Sequence, residues 1–395
     1  MNIGLFLGHP AHFHMLKNTA KALSKKGHDV YFVIKKKDIL ENLLTDAGYT
    51  YTIIRGLRKT NKMIDLLKSV IEMEFKLCEF LNKKEIDILI GSSLSFASRV
   101  IMRTPTIIMG EDDWHVVPKY AMLVNPFANA ILTPIVCDNG KWNKKSTKYP
   151  SYHELAYLHP NHFTPSREVV ESYGIVTSKP YFILRFASLN AHHDDGIKGI
   201  NTEVAQNLVD ILKPHGQIYI TSERELEPQF EPYRIRINPL DMHHAMAFAS
   251  LYIGDSQTMA AEAGVLGTPF VRFNDFVGRI GYLRELEDTY ELGYGIHASV
   301  LPADSPIRRA DGTAQPSGVE QLYATVKRLV AMPEVVESRK SNAESPSVFA
   351  SRREKMLRDK IDYAKFLTWF IENYPASAKD TKDNQTNTDF WNQFK

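Results

Sequence analysis

A chain of 395 residues, 44% of them hydrophobic and 24% charged, is too long for one ordinary core and too apolar to stay unfolded, so two globular domains are expected. A net charge of +2 gives no general attraction to nucleic acid, and no apolar run approaches the ~20 residues that span a bilayer. Cys78 and Cys137, the two cysteines, make neither a disulfide framework nor a metal cluster; Cys78 falls in an amphipathic pattern and is expected to be a reduced, buried thiol.

The chain opens on an apolar strand, Ile3 to Leu7, which breaks at Gly8-His9-Pro10 and leads into a helix from Met15 to Lys25. These first residues read as a strand rather than a signal peptide, so the cytoplasm is the expected compartment. Gly27 ends the helix, and His28 to Ile34 is the second strand. This βαβ opening lacks G-x-G-x-x-G, and no dinucleotide or other cofactor is expected. His9, His12 and His14 fall in the loop at a strand's carboxyl end, where open α/β sheets place their ligands. Without a carboxylate or thiol beside them they do not argue for zinc. His12 is expected to hydrogen-bond a substrate or to act as a base; the plainer reading is a loop residue.

A helix over 38–47, a strand over 50–54 and a long amphipathic helix over 61–82 follow. Ile86 to Ile90 is a continuous apolar strand ending at Gly91-Ser92-Ser93, 96–102 is helical, and Pro105 to Met109 is the next strand. It runs into Glu111-Asp112-Asp113, three consecutive acids beside Trp114 and His115. Carboxylates so close repel one another, so at least one is expected to hold its proton more tightly, which suits proton transfer. A solvated acidic turn, or helix capping by Asp112 or Asp113, is the alternative. Ile131 to Thr133 is expected to close the first sheet, giving a first domain at 1–150. The Pro-rich stretch that follows, with the passage proper at 151–180, carries Tyr152, Glu154, Tyr157 and His159, which either line a cleft or pack a hinge.

A second domain is expected at 181–350. Tyr181 to Phe186 starts its sheet and places Arg185 at a strand's carboxyl end as a diphosphate partner. The loop after it holds Asn190, assigned to the same site, and His192-His193-Asp194-Asp195, whose adjacent side chains point in different directions and are not expected to chelate one metal ion. A helix at 204–212, a strand at 217–221 and a helix opening at Met242 lead to Leu251-Tyr252-Ile253-Gly254, a short buried strand. Asp255 and Ser256 are good N-cap residues for a helix from Gln257 to Val265, which Gly267 and Pro269 stop before the strand Phe270 to Phe273. The turn leaves backbone N–H groups of Ser256, Gln257 and Thr258 at a helix N-terminus, where phosphates bind. Glu262, six residues past Ser256, is placed to accept hydrogen bonds from a ribose diol, and Asp275 to contact sugar hydroxyls; the alternative is a capped helix with a solvated glutamate. Beyond lie a strand at 293–296, a helix at 318–332, a loose polar stretch at 333–349, one long helix at 352–374 and a disordered tail at 375–395.

The segment Gly254-Asp255-Ser256-Gln257-Thr258-Met259-Ala260-Ala261-Glu262 through Leu266-Gly267-Thr268-Pro269 resembles the nucleotide-binding segment of non-hydrolysing UDP-N-acetylglucosamine 2-epimerases, and Asn238-Pro239-Leu240-Asp241 before the helix of Met242 matches as well. His9-Pro10, Ser95-Phe96-Ala97, Glu154 to Pro160 and Thr258 to Ala263 are similar to the marks of an archaeal and bacterial family of unassigned function in the GT-B superfamily. That resemblance covers most of residues 1–300. It implies an α/β, GT-B-like fold of two Rossmann-like domains whose parallel sheets face across a cleft, with a C-terminal helix crossing back to the first domain. It also implies a nucleotide-sugar donor, UDP-linked by the epimerase likeness, held by Arg185, Asn190, Met242, Ser256, Gln257, Thr258, Glu262 and Asp275.

Glycosyl transfer without a metal is the leading expectation, with His12 or one of Glu111, Asp112 and Asp113 as base toward a glycan or lipid-linked acceptor. UDP-N-acetylhexosamine 2-epimerisation is the alternative. Against it, the epimerases' Gly-Asp is Gly91-Ser92 here, and their His-Val-Glu-Ala-Gly-Leu-Arg keeps only Glu111. A non-catalytic nucleotide-sugar binder is the third reading. Lys35-Lys36-Lys37 and Lys144-Lys145 are solvated loops or weak attractors of anionic headgroups, the latter suiting an enzyme at the inner face of a membrane.

Overall fold

The computed structural model describes residues 1–35, 38–54, 63–91, 96–187, 199–299, 318–336 and 347–395. Two compact units divide the chain: Met1–His162 with Lys360–Lys395, and Phe163–Asp359. In the first unit β1 (Asn2–Leu7), α1 (Pro10–Lys25), β2 (Asp29–Lys35), α2 (Asp38–Asp46), β3 (Tyr51–Ile54) and α3 (Met63–Lys83) alternate. Next come β4 (Ile88–Gly91), a π-helical turn Ala97–Ile101, β5 (Thr106–Met109), α4 (Pro118–Val124), β6 (Ala130–Pro134) and β7 (Ser146–Tyr149). All seven strands pair in parallel in the order β3-β2-β1-β4-β5-β6-β7. The strands read as near-continuous apolar runs because helices cover such a sheet on both faces. α1 starts where Pro10 fixes φ and the His9 ring accepts a hydrogen bond from the Ala11 N–H at 3.2 Å. It buries Phe13, Met15, Leu16, Ala20 and Leu23.

The second unit holds α5 (Arg167–Ser172), β8 (Tyr181–Phe186), α6 (Thr202–Leu212), β9 (Gln217–Ser222), α7 (Met242–Phe248), β10 (Leu251–Gly254), α8 (Gln257–Leu266) and β11 (Phe270–Phe273). It continues through α9 (Gly281–Arg284), β12 (Gly293–Ile296), α10 (Gly318–Val330), α11 (Pro333–Val336) and α12 (Val348–Asp359). Its five strands are again parallel, ordered β12-β11-β10-β8-β9. One face packs Phe182, Leu184, Leu251, Ile253 and Val271 against Val204 and Leu208 of α6 and Leu322 and Val326 of α10. The alternate residues Arg185, Tyr252 and Arg272 therefore point to the opposite face. In each sheet the chain steps outward on one side and then returns to the other, so the connections diverge between β1 and β4, and between β8 and β10. Such switch points are where open α/β sheets bind ligands.

The chain returns to the first unit at Lys360, in α13 (Tyr363–Glu372), α14 (Ala376–Asp383) and α15 (Thr388–Asn392), and α13 packs on α1. The one long helix expected over 352–374 is thus two. Asp362 breaks it by capping α13, its carboxylate accepting from the Lys365 N–H at 3.1 Å, while the Ile361 N–H donates to the Pro150 carbonyl. The first sheet does not close at Thr133, because Ser146–Tyr149 adds a seventh strand. Of the stretch expected to be loose, Pro333–Val336 is helical and 337–346 lie outside the described residues.

The disordered tail is a correction. Averaged composition hides three aromatics at its very end, and these anchor it. Trp391 and Phe394 are buried, their rings 5.5 and 5.3 Å from that of Phe366. The Asp362 N–H donates to the Phe394 carbonyl, closing the chain's last turn onto the start of α13. Among the described residues no helix is long and apolar enough to cross a membrane. Trp391→Ala is expected to cost about 3 kcal/mol in urea unfolding, as for other large-to-small changes in a packed site; an unchanged midpoint would mean that the last helices are not part of the core.

Candidate functional site

In the second unit the switch point brings three predicted features together. Gly254 ends β10 in register with Arg185 of β8, and Asp255 and Ser256 turn the chain into α8. A Cβ on Gly254 would lie 2.9 Å from that of Arg185 and 2.5 Å from the Tyr252 hydroxyl, so only glycine lets the strands meet here. Asp255 fixes the turn. One carboxylate oxygen accepts the Ala187 N–H at 2.6 Å, the other the Ile200 N–H at 3.2 Å, and its carbonyl accepts the Asn274 side-chain amide at 2.9 Å. Burial nevertheless pushes the Asp255 carboxyl up to about 6, against the pull of those two amide donors.

Ser256 caps α8 by accepting the Met259 N–H at 3.4 Å, and no acidic residue occupies the first turn. Ser256, Gln257 and Thr258 are half-buried, so a helix N-terminus with its positive dipole end reaches the surface at the switch point. Arg185 lies alongside. Its Nη1 donates to Thr221 Oγ1 at 2.8 Å and its Nη2 pairs with Glu223, whereas its buried Nε has no hydrogen-bond partner among the described residues. Part of the charge expected for a diphosphate is therefore shared with Glu223.

Glu262 is not the solvated glutamate of the plainer reading. It is buried on α8, and its Oε1 lies 3.0 Å from Nε2 of His243, itself buried on α7. That hydrogen bond places a proton on Nε2. Met242, at the start of α7, is half-buried. Asp275 is buried and accepts the Ser299 N–H at 2.8 Å, with His297 Nδ1 at 3.3 Å, so it fastens the loop after β12. Asn190 and the His192-His193-Asp194-Asp195 cluster lie outside the described residues.

In the first unit His12 sits in the opening turn of α1, at the β1–β4 switch point. Its Nδ1 accepts the Gly8 N–H at 3.2 Å, which leaves the ring proton on Nε2 and makes that edge a donor rather than a base. The three acids have separate fates. Asp112 is exposed, and Asp113 is buried in the turn, accepting the Asp138 N–H at 2.8 Å. Glu111 accepts the His153 N–H at 2.8 Å and lies 3.3 Å from its Nδ1. Burial, then the charge of Glu154 and to a lesser degree that of Asp112, hold the Glu111 carboxyl well above the usual carboxylate range. Burial, rather than crowding among neighbours in sequence, is the main cause of that shift. Burial drives the His153 imidazole down to about 3, so it lies beside Glu111 as a neutral ring rather than as half of an ion pair. Tyr363 of α13 stacks on the His153 ring at 5.5 Å and on Tyr149 at 4.4 Å.

His153, His243 and Tyr363 escaped the sequence reading. Each carries a polar group beside at least one apolar neighbour, in Tyr152-His153-Glu154-Leu155, Met242-His243-His244-Ala245 and Asp362-Tyr363-Ala364, and a buried polar side chain needs a partner. That signal was available, but the partner lay 19 residues away in one case and in a different part of the chain in the others.

A family model described as "Protein of unknown function (DUF354)" matches residues 1–275. No curated protein matches in sequence. Solved structures match across nearly the whole chain. A candidate UDP-N-acetylglucosamine 2-epimerase from Listeria monocytogenes is 13% identical, with 90% of this chain and 94% of that one covered at a TM-score of 0.59. The UDP-GlcNAc 2-epimerase of Neisseria meningitidis, bound to UDP-GlcNAc, is 11% identical over 91% and 99% at 0.56. The spinosyn rhamnosyltransferase SpnG, complexed with spinosyn aglycone, is 13% identical over 94% and 100% at 0.56. At such identities the likeness shows a shared fold, that of GT-B-like proteins with two Rossmann-like domains.

Asp255 gives the switch point a pH signature. A carboxyl raised from 3.8 to about 6 stabilises the folded chain fully below about pH 4, and that contribution is lost as pH rises through 6. A tenfold change in proton affinity is worth about 1.4 kcal/mol, so a rise of this size corresponds to about 3 kcal/mol. Between pH 4 and 7 the wild type is expected to lose about that much more unfolding free energy than Asp255→Asn, whose side chain cannot ionise. Parallel pH profiles in urea would contradict the assignment.

Proposed function

We propose that this chain, which belongs to the family of DUF354 proteins of unknown function, is an enzyme that transfers a sugar from a nucleotide donor, with UDP the favoured nucleotide. The observation that carries the reading is the α8 N-terminus, free of acidic residues in its first turn and opening beside Arg185 between β8 and β10. A helix N-terminus and a guanidinium stabilise a bound diphosphate and the charge that grows on it as the sugar leaves. This stabilisation requires no metal.

Glu262 takes the ribose hydroxyls in this proposal, and His243 orients its carboxylate through the 3.0 Å hydrogen bond. The buried pairing means that a ribose must share or displace that bond, a cost that spacing along the helix does not reveal. Asp275, Met242 and Asn190 are assigned to the donor's sugar and base side by resemblance. On the acceptor side Glu111 is the proton carrier: its raised affinity for a proton suits proton exchange, and His153 lies against both of its oxygens. Asp112 is the exposed alternative, Asp113 keeps its turn, and His12 donates from Nε2 to substrate. The acceptor is a glycan or a lipid-linked saccharide.

Thermal-shift screening against UDP, GDP and CMP, followed by UDP release with and without acceptors, tests this directly. Acceptor-dependent release of UDP is expected. Interconversion of UDP-N-acetylhexosamines without net UDP release would replace transfer by 2-epimerisation, and binding without either would leave a non-catalytic binder. Glu262→Ala is expected to fold and to weaken UDP binding at least tenfold, with a lowered melting temperature because buried His243 loses its bond to Glu262. An unchanged affinity would remove Glu262 from the ribose role. Glu111→Gln is expected to bind UDP normally and lose turnover; unaltered turnover would clear it of proton transfer.

A further inference from the structure

Six of the large apolar side chains that the first unit leaves in solvent fall close together. Two short stretches, 96–103 and 118–127, expose Phe96, Val100, Ile101, Tyr120, Met122 and Leu123, with Ile101 63% and Leu123 61% accessible. Ring contact between Phe96 and Phe127, centroids 5.1 Å apart and nearly perpendicular, joins the two stretches. In α4 only Ala121 and Val124 turn inward, so Lys119, Tyr120, Met122 and Leu123 face out on consecutive turns. Among the described residues no other element covers the apolar residues that this helix shows to solvent.

Charge identifies the partner. Neither stretch contains an aspartate or glutamate, and all three of their basic residues, Arg99, Arg103 and Lys119, are exposed. Lys145 adjoins them: its ammonium donates to the Pro126 carbonyl at 2.6 Å, and the repulsion of Arg99 helps lower its proton affinity. Apolar residues between cations, with no acid in either stretch, match the boundary of an anionic bilayer, where hydrocarbon lies directly beneath phosphate. A second copy of the chain fits less well, since a two-fold axis through this face would set Arg99, Arg103 and Lys119 against like charges.

We infer that the face formed by 96–103 and 118–127 docks the protein onto an anionic lipid membrane. It does so from the surface, inserting side chains such as Ile101 and Leu123 while the arginines and lysine remain at the headgroups. The inference does not depend on the nucleotide reading, because the residues belong to neither candidate site.

Co-sedimentation of the full chain with phosphatidylcholine vesicles, with and without phosphatidylglycerol, tests it. Binding is expected only to the anionic vesicles, and it should weaken as salt rises. With each basic residue worth about fivefold near a charged surface, replacing Arg99, Arg103 and Lys119 by alanine should cost about a hundredfold. Ile101→Ser with Leu123→Ser should weaken binding at least tenfold while leaving the salt dependence unchanged. Circular-dichroism melts report whether each variant folds; if one does not, the lipid and salt dependence of the unaltered chain decides. Failure to sediment with phosphatidylglycerol vesicles would overturn the proposal, as would equal binding to both lipids. A dimer in sedimentation velocity that Leu123→Ser dissociates would assign the face to a second copy instead.

Discussion

One buried carboxylate organises the second unit. Asp255 accepts the Ala187 N–H where the chain leaves β8 and the Ile200 N–H just before α6, and its carbonyl takes the Asn274 amide where the chain leaves β11. Two strand exits and the entry to a helix are thus tied to the turn that starts α8. The tie is costly, since burial opposes the charge that makes the hydrogen bonds strong, and the raised affinity of Asp255 for a proton measures that opposition. What the cost secures is a rigid helix N-terminus at the switch point. A site that must stabilise negative charge needs donors already in position, because reorienting them during reaction would consume the benefit.

The first unit treats its acids in the opposite manner. Glu111 has no set of backbone donors comparable to those of Asp255; it meets one backbone N–H and a neutral imidazole, with Glu154 nearby. Burial and the charge of Glu154 outweigh that one backbone donor, so the carboxyl holds its proton more tightly than usual. Both carboxyls are shifted upward, yet one fixes a turn while the other is the one proposed to exchange a proton. Environment, not residue type, separates the roles.

Most of the fold was legible because parallel sheets write themselves plainly. Continuous apolar runs such as Ile88–Gly91 and Leu251–Gly254, each followed by a turn residue and a helix, leave few other readings. The helix opening at Ser256 was legible too, since capping chemistry is local. What stayed hidden depends on residues distant in sequence. The pairing of Glu262 with His243 and of Glu111 with His153 is decided by which helix packs on which strand. The tail misled for a different reason: its Asp, Lys, Asn and Thr residues read as solvated, and only the burial of Trp391 and Phe394 against Phe366 reveals an anchored end. Ser146–Tyr149 was missed because its polar sequence suits an outermost strand rather than a central one.

The central claim is that the α8 N-terminus and Arg185 hold an anionic diphosphate. Calorimetric titration with UDP and with uridine isolates that term, since the two share base and ribose and differ in the diphosphate alone. The account predicts that UDP binds at least a hundredfold more tightly than uridine, with the difference reduced in Arg185→Ala. Equal affinities, or no binding of UDP at all, would contradict it.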